Sequence, residues 1–297
     1  MNDTEVLARS FEEHRGHLRA VAYRMLGSLS EAEDAVQETW LRLGRTDAGT
    51  IDNLGGWLTT VVGRVCLDAL RSRTARREQP MDDTFVPDPV VRPLSGTDPE
   101  QEALRTDEVG LALLVVLHTL EPAERLAFVL HDMFAVPFDD IAPILERSSA
   151  ATRQLASRAR RRVRVPGPAV EPDLGRQREV LDAFLAASRA GDFEGLLALL
   201  HPDAVLRVDS GALVRGAAAS KLVHGARPMA EQAVLFHRFS RFAHPALVNG
   251  ALGYVTAPEG RPMSVTSFTV ADGRITGMYI LADPARLEQL HLPGLYA

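Results

Sequence analysis

The sequence predicts a multidomain protein: two all-α modules, the second a helix-turn-helix, followed by an α+β domain. Three observations lead there. Apolar residues recur at helical spacing up to about residue 164, and two proline-rich stretches interrupt the chain. After the second stretch the period changes to short runs rich in β-branched and aromatic residues. A chain of 297 residues has room for two or three compact domains. The division read from these breaks is a helical domain over 5–77, a linker over 78–103, a helical block over 104–164, a second linker over 165–172 and an α+β domain over 173–297.

Composition removes several classes of function. The net charge of −6 argues against a simple nucleic-acid coat, yet the arginines are bunched: Arg71, Arg73, Arg76 and Arg77 in one run, and Arg153, Arg158, Arg160, Arg161, Arg162 and Arg164 in another. Basic stripes on an acidic background point to local phosphate contacts. Lys221 is the only lysine. The single cysteine, Cys66, excludes an intramolecular disulfide framework, and the N-terminal residues lack a signal-peptide pattern, so a cytoplasmic location is expected. No apolar run approaches the roughly 20 residues of a spanning helix. The nine histidines show no ligand spacing with cysteine or acids, and there is no glycine-rich phosphate loop, so neither a metal nor a cofactor is expected.

Within the first domain, Ser30 and Glu33 have capping-box spacing, which predicts a helix from Glu31 to about Leu43. Ala32, Ala35, Val36, Thr39, Trp40 and Leu43 form its inward stripe. Asp34, Gln37, Glu38 and Leu41 share another face, three or four residues apart. By spacing alone that face is a solvated acidic surface. The continuous string from Glu33 to Leu43, however, closely resembles the segment of sigma region 2 that binds the clamp coiled coil of the RNA polymerase β′ subunit. The string from Gly56 to Arg71 resembles the helix of the same region that opens and reads the −10 promoter element. That resemblance implies flipped bases held by this helix and the loop before it, about Thr46 to Gly55, with Arg64, Arg71, Arg73, Arg76 and Arg77 on DNA backbone. Trp57 falls with Val61 and Val65 and is read as core.

In the helical block, Phe138, Ile141, Ala142 and Leu145 form a short amphipathic helix with Asp139 and Asp140 in its first turn. A break at Glu146-Arg147-Ser148 precedes a second helix, capped by Ser148 or Ser149, in which Ala151, Leu155, Ala156, Ala159 and Val163 face inward. Arg153, Gln154, Ser157, Arg158 and Arg161 then face outward. Such a helix suits a major groove: Arg and Gln make bidentate contacts to base edges, and Thr152 and Ser157 reach phosphates. With Leu120 to Arg125 and Phe128 to Leu130 upstream, the block resembles sigma region 4, which implies contacts with the −35 element and the polymerase β flap.

The last domain opens with helices over about 175–190 and 193–200. Strand-like runs follow at Ala204–Asp209, Ala251–Thr256, Met263–Val270 and Ile275–Leu281, with the hairpin dipeptide Asp272-Gly273 between the last two, and an antiparallel sheet is expected. The opening helix, His201-Pro202-Asp203-Ala204-Val205 and the late hairpins resemble a cone-shaped SnoaL-like α+β domain. The whole is similar to extracytoplasmic-function sigma factors of the sigma-J type, in which this domain is thought to regulate the sigma modules in cis without a separate anti-sigma protein. In that subfamily the linker carries Trp-Leu-Pro-Glu-Pro; here it reads Phe85-Val86-Pro87-Asp88-Pro89, so an interdomain linker contact is expected there. The subfamily's glycine-rich element stands as Asp209-Ser210-Gly211-Ala212-Leu213 and its Asn-Pro-Asp-Lys ending as Ala282-Asp283-Pro284-Ala285-Arg286. Asp209, His224, His237, Tyr254 and Tyr279 are catalytic candidates by residue type only, with no spacing that defines a base and its partners, so no enzyme is expected. The alternative reading is a helix-turn-helix regulator with a small-molecule-sensing cone domain; a tethered isomerase or hydratase is a third.

Overall fold

The computed structural model describes residues 3–47, 49, 51–76, 83–94, 109–164, 171–211, 214–290 and 292. They form two compact units: one within Met1–Met81 and Val116–Val165, the other within Asp82–Val115 and Pro166–Ala297. Both helical modules therefore contribute to the first unit. The described part of the first linker belongs to the second.

The first unit begins with three helices, α1 (Asp3–Leu26), α2 (Leu29–Leu43) and α3 (Leu54–Arg76). Leu18, Val21, Ala22 and Met25 of α1 meet the inward stripe of α2 and Leu58, Val62, Cys66 and Leu67 of α3 in a closed core. Helix α2 starts two residues earlier than expected, with Ser28 preceding it, and Ser30 lies inside its first turn with its hydroxyl 3.1 Å from that of Ser28. Glu33 is not a capping partner. It pairs with Arg15 and lies 3.9 Å from Arg19 of α1, a tertiary use that capping-box spacing does not reveal. Trp57 is a second correction. The buried stripe of α3 runs through Leu58, Val62 and Cys66, one position over, and leaves Trp57, Val61 and Val65 half-buried. Apolar residues occupy a wide arc of this helix, so their period does not single out the buried side.

The unit continues through α4 (Leu111–His118), whose last residues belong to it, then α5 (Pro122–Phe128), which runs into a π-helical turn over Val129–Met133. Next come α6 (Phe138–Leu145) and α7 (Ser149–Val163). Pro122 sits at the first helical position of α5, where its missing N–H costs nothing. The break between α6 and α7 is made by Glu146 in the left-handed region, φ 55°, and by Ser148, whose hydroxyl accepts from the amide of Ala151 at 3.2 Å. Helix α3 packs on α5 and α6 across Gly63, where a β-carbon would stand 3.3 Å from a methyl of Leu130 and 3.4 Å from one of Leu126. An added β-carbon would require these leucine methyls to give by a few tenths of an ångström.

The second unit holds a seven-stranded sheet in the order β1-β4-β5-β6-β7-β2-β3. Its strands are β1 (Val91–Pro93), β2 (Leu200–Asp209), β3 (Lys221–His224), β4 (Ala243–Val248), β5 (Ala251–Thr256), β6 (Ser264–Ala271) and β7 (Arg274–Leu281). Helices α8 (Leu174–Ala190), α9 (Phe193–Leu199), α10 (Ala226–Leu235) and α11 (Pro284–Gln289) complete it. The β6–β7 turn has Asp272 at φ 51° and Gly273 at φ 71°, the two positive angles the hairpin dipeptide supplies cheaply. The core gathers Leu181 and Phe184 of α8, Leu196 of α9, Met229 of α10 and the inward side chains of the sheet, with Phe184 and Tyr254 edge-on to Phe268 at 5.8 and 5.7 Å between ring centres.

The sheet is mixed rather than antiparallel. Strand β2 runs parallel to β7, with Val205 opposite Gly277 and Asp209 opposite Leu281. Hairpin signals report only neighbours in sequence, whereas β2 enters the sheet from helices and pairs with the last strand. A strand inside the proline-rich linker was also not expected: Val91, Arg92 and Pro93 pair with Val248, Leu247 and Ala246. Pro245, which hides β4 from a sequence reading, lies just past that pairing, where β4 is an edge and no donor is missed.

Candidate functional site

Three surfaces gather the residues expected to act. On α2, Asp34 and Gln37 are exposed, Leu41 is 52% exposed, and Glu38 is half-exposed with its carboxylate accepting from Nε of Arg42 at 2.9 Å. A leucine that far out, beside two acids and an amide, is a small apolar contact framed by polar groups.

On α3, Arg64 and Arg71 are exposed two turns apart on one side, with exposed Asp68 between them. Arg73 is half-buried and pairs with Glu31 of α2. The helix ends at Arg76, and Arg77 lies outside the described residues. Cys66, on the buried side, has its thiol pushed up to about 12 by desolvation and by the charge of Glu31.

On α7, Arg153, Gln154, Ser157 and Arg161 are exposed, and Arg153 lies over the ring of Phe138 at 5.5 Å. Thr152 does not join them: it is fully buried, and its hydroxyl donates to the carbonyl of Ser148 at 3.1 Å. A hydroxyl four residues after a cap satisfies its own helix and is out of reach of phosphate. Arg158 is exposed as well and pairs through Nε with Glu124 of α5 at 2.6 Å, while Arg162 reaches the other oxygen at 3.3 Å. Arg160 pairs with Asp132 at 2.5 Å. Glu124, only 5% exposed, holds α7 on its support, and helical spacing gave no hint of that tie.

Arg125 next to it is buried at 4% exposure. Its Nη1 donates to the carbonyl of Met25 at the end of α1 at 2.8 Å, and its Nη2 to the carbonyls of His118 at 2.8 Å and Leu120 at 3.4 Å. Desolvation, aided by Arg73, lowers its guanidinium to about 10. A residue of the region-4 block thus ties down the end of a region-2 helix.

The linker segment lies against the second unit's own sheet. Val86, Pro87, Asp88 and Pro89 are buried and Phe85 half-buried. Arg286 at the start of α11 donates through Nε to Asp88 Oδ1 at 2.8 Å, through Nη2 to the same oxygen at 2.5 Å and to the carbonyl of Val86 at 2.6 Å, and through Nη1 to Asp209 Oδ2 at 2.7 Å. The amide of Val86 donates to Asp209 Oδ2 at 3.1 Å, and the guanidinium lies 5.0 Å from the centre of the Phe85 ring. The altered glycine-rich element and the altered ending supply the two halves of this latch: Asp209 from one and Arg286 from the other. Farther along, Asn249 accepts from the amide of Val90 at 3.0 Å and donates to the carbonyl of Val109 at 3.1 Å. Sequence reasoning missed Asn249, although Asn249-Gly250 is a hairpin dipeptide that could have revealed β4 and β5 as a pair.

The catalytic candidates do not converge. Asp209 belongs to the latch, His237 bonds the carbonyl of Val234 at 2.8 Å, His224 is exposed on β3, and Tyr254 is in the core, where burial raises its phenol. Tyr279 on β7 is likewise raised by desolvation. Among the described residues no group of three or more His, Cys, Asp or Glu could hold a metal ion, and no helix is long and apolar enough to cross a membrane.

Comparison with known proteins matches these surfaces to named regions. Residues 10–76 match Sigma-70 region 2, 110–163 match Sigma-70 region 4, and 181–278 match a SnoaL-like domain. The ECF RNA polymerase sigma factor SigJ of Mycobacterium tuberculosis is 41% identical over 288 residues, covering 92% of this chain and 91% of that protein. A probable ECF RNA polymerase sigma factor SigI of the same species is 35% identical, covering 98% of each. The crystal structure of Mycobacterium tuberculosis SigJ aligns with a TM-score of 0.75 at 37% identity over 96% of this chain and 99% of that one. With region 2, region 4 and a SnoaL-like domain in turn, and with SigJ 41% identical over most of both chains, the chain belongs to the extracytoplasmic-function RNA polymerase sigma factors.

Proposed function

We propose that the task of this family, binding core RNA polymerase and directing promoter-specific initiation without catalysis of its own, is divided here among three surfaces and restrained by a fourth. The exposed face of α2, Asp34, Gln37, Glu38 and Leu41, meets the β′ clamp. Arg64 and Arg71, continued by Arg76 and Arg77, follow the backbone at the −10 element. On α7, Arg153 and Gln154 read bases of the −35 element, Ser157 and Arg161 grip its backbone, and the block around them meets the β flap. The work takes place in the cytoplasm with the polymerase. Leu41, half-exposed among polar groups, is the observation that carries the docking assignment.

Geometry supports a need to open. The two promoter elements are centred about 25 base pairs apart, or about 85 Å of duplex at ~3.4 Å per base pair. A compact unit of about 130 residues has a radius of gyration near ~14 Å. Region 2 and region 4 packed across Gly63 and Arg125 therefore do not reach both elements at once. The closed unit is a resting state, and the SnoaL-like domain controls departure from it in cis by holding the linker through Arg286, Asp88 and Asp209, in the place of a separate anti-sigma protein.

The test is transcription in vitro with bacterial core polymerase on the chain's own upstream region, comparing the full chain with one ending at Arg164. Transcripts that require either form establish the sigma role, and a higher yield from the shorter form establishes restraint. Equal yields remove the regulatory reading. No transcript and no binding to core polymerase favour a helix-turn-helix regulator with a sensing domain.

A further inference from the structure

The cone of the second unit encloses a partly open cavity of about 230 Å³ between the sheet and helices α8 and α10. Phe184, Leu206, Phe268 and Met278 supply much of its wall. Three residues interrupt the sheet side with hydroxyls: Thr256 on β5, and Ser264 and Thr266 on β6. Strand alternation puts them there, since Thr256 shares a face with Tyr254, and Ser264 and Thr266 share one with Phe268, both rings being part of the core. Thr256 stands opposite Ser264 and Tyr254 opposite Thr266, so the three are cross-strand or diagonal neighbours and form one cluster. They are 9, 8 and 8% exposed, and among the described residues none of the three hydroxyls has a hydrogen-bond partner. Ser210 and Ser240 line the same cavity differently, their hydroxyls donating to the carbonyls of Ala218 at 2.7 Å and His237 at 2.6 Å.

We propose that this cavity binds an uncharged small molecule, with a carbonyl or hydroxyl oxygen held by Thr256, Ser264 and Thr266 and a hydrocarbon body against the phenylalanines and Met278. Buried hydroxyls without partners destabilise a fold, and valine or alanine would build the same wall without that cost. A hydroxyl both donates and accepts, so the cluster suits a ketone, an ester or an alcohol. Water entering from the open side can meet the hydroxyls but cannot cover the apolar wall, whereas a ligand of this class does both. A carboxylate would exchange its hydration for neutral donors. Lys221, the one charged residue among the described lining, is half-buried and its ammonium already donates to Gln232 at 2.9 Å, so it does not select an anion. An ammonium would find no acid among those residues. Size allows about nine heavy atoms, scaled from the benzene that a cavity of roughly 150 Å³ holds. The proposal is independent of the reading of the helical unit.

Calorimetric titration of the full chain with four probes of one shape tests it: acetophenone, isopropylbenzene, benzoate and 1-phenylethylammonium. Acetophenone should bind saturably at one site, and the two ions about tenfold or more weaker. The two neutral probes are then compared on the chain carrying Thr256→Val, Ser264→Ala and Thr266→Val together. These substitutions should weaken acetophenone about fivefold, the worth of one neutral hydrogen bond, and leave isopropylbenzene no weaker, which also shows that the variant is folded. Either ion binding as tightly as acetophenone, acetophenone unaffected by the substitutions, or no saturable binding of acetophenone would overturn the proposal. Should the triple variant fail to fold, Thr266→Val alone, which keeps the shape of the side chain, decides by the same comparison.

Discussion

Two arginines hold distant segments together, and they do so by opposite means. Arg286 binds the linker through two carboxylates, Asp88 and Asp209, as well as a carbonyl. Arg125 holds the end of α1 and the α4–α5 turn through carbonyl oxygens alone. The first site sets one guanidinium against two carboxylates, a net charge of −1 built of groups that need one another. The second is a single buried cation solvated by dipoles, which is why desolvation pulls it down to about 10. Losing Arg286 takes the shared cation from two carboxylates, Asp209 keeping only the amides of Val86 and Gly211, whereas losing Arg125 leaves only neutral acceptors behind.

The largest effect should therefore come from Arg286→Ala. With Asp88 and Asp209 left facing each other, the second unit is expected to lose about 3 kcal/mol, the cost of breaking a largely buried pair. Urea denaturation followed by tryptic cleavage near Arg92 reads both stability and linker release. Adding Asp88→Asn and Asp209→Asn to Arg286→Ala should restore part of the loss, since the stranded charges are removed; no recovery would break the contrast. Arg125→Met should cost less, about 2 kcal/mol, because its removal abandons hydrogen bonds to carbonyls but no charge. An equal or larger loss than that of Arg286→Ala would show that the carbonyl-bound cation is the stronger tie.

Cys66 gives a finer reading of the same contrast. Burial and Glu31 hold its thiol up at about 12, so at pH 8 it is a buried, protonated thiol with little reactivity toward iodoacetamide. Arg125→Met should speed its alkylation and Arg286→Ala should not, since only the first loosens the helical unit. The sign of the pH effect follows: a raised acid pKa means the folded state binds the proton more tightly, so this contribution is present below an unfolded value of about 8.5 and is lost as pH rises toward 12. The smallest stability change belongs to Asp34→Ala, expected within about 0.5 kcal/mol because the side chain is exposed, while binding to core polymerase weakens. Unchanged binding would remove the α2 docking face.

Much of this was legible in residue spacing. The inward stripe of α2 through Ala32, Val36 and Leu43, the break at Glu146 and the cap at Ser148 follow from local periodicity and turn chemistry. The β6–β7 hairpin at Asp272-Gly273 does so as well. What spacing missed was tertiary in origin. Thr152 and Arg158 sit in a recognition-helix pattern; Thr152 is turned inward to a carbonyl, and Arg158, exposed as its spacing predicts, also pairs with Glu124, thirty-four residues away. Strand β1 hides among prolines because its pairing partner, β4, is 155 residues later and carries a proline of its own.

By itself, then, the sequence determined the helices of the first unit and the two that open the second, though not Ala226–Leu235, as well as where the helical period gives way to strands and which strings resemble sigma regions, because these depend on residues within a turn or two of one another. Only the tertiary structure decided which arginines enter ion pairs, such as Arg73 with Glu31 and Arg158 with Glu124. It also decided that β2 lies parallel to β7 and that Asp88, Asp209 and Arg286 meet. Those outcomes depend on charges and edges brought together from far along the chain, and their pairing follows from the packing of the elements that carry them.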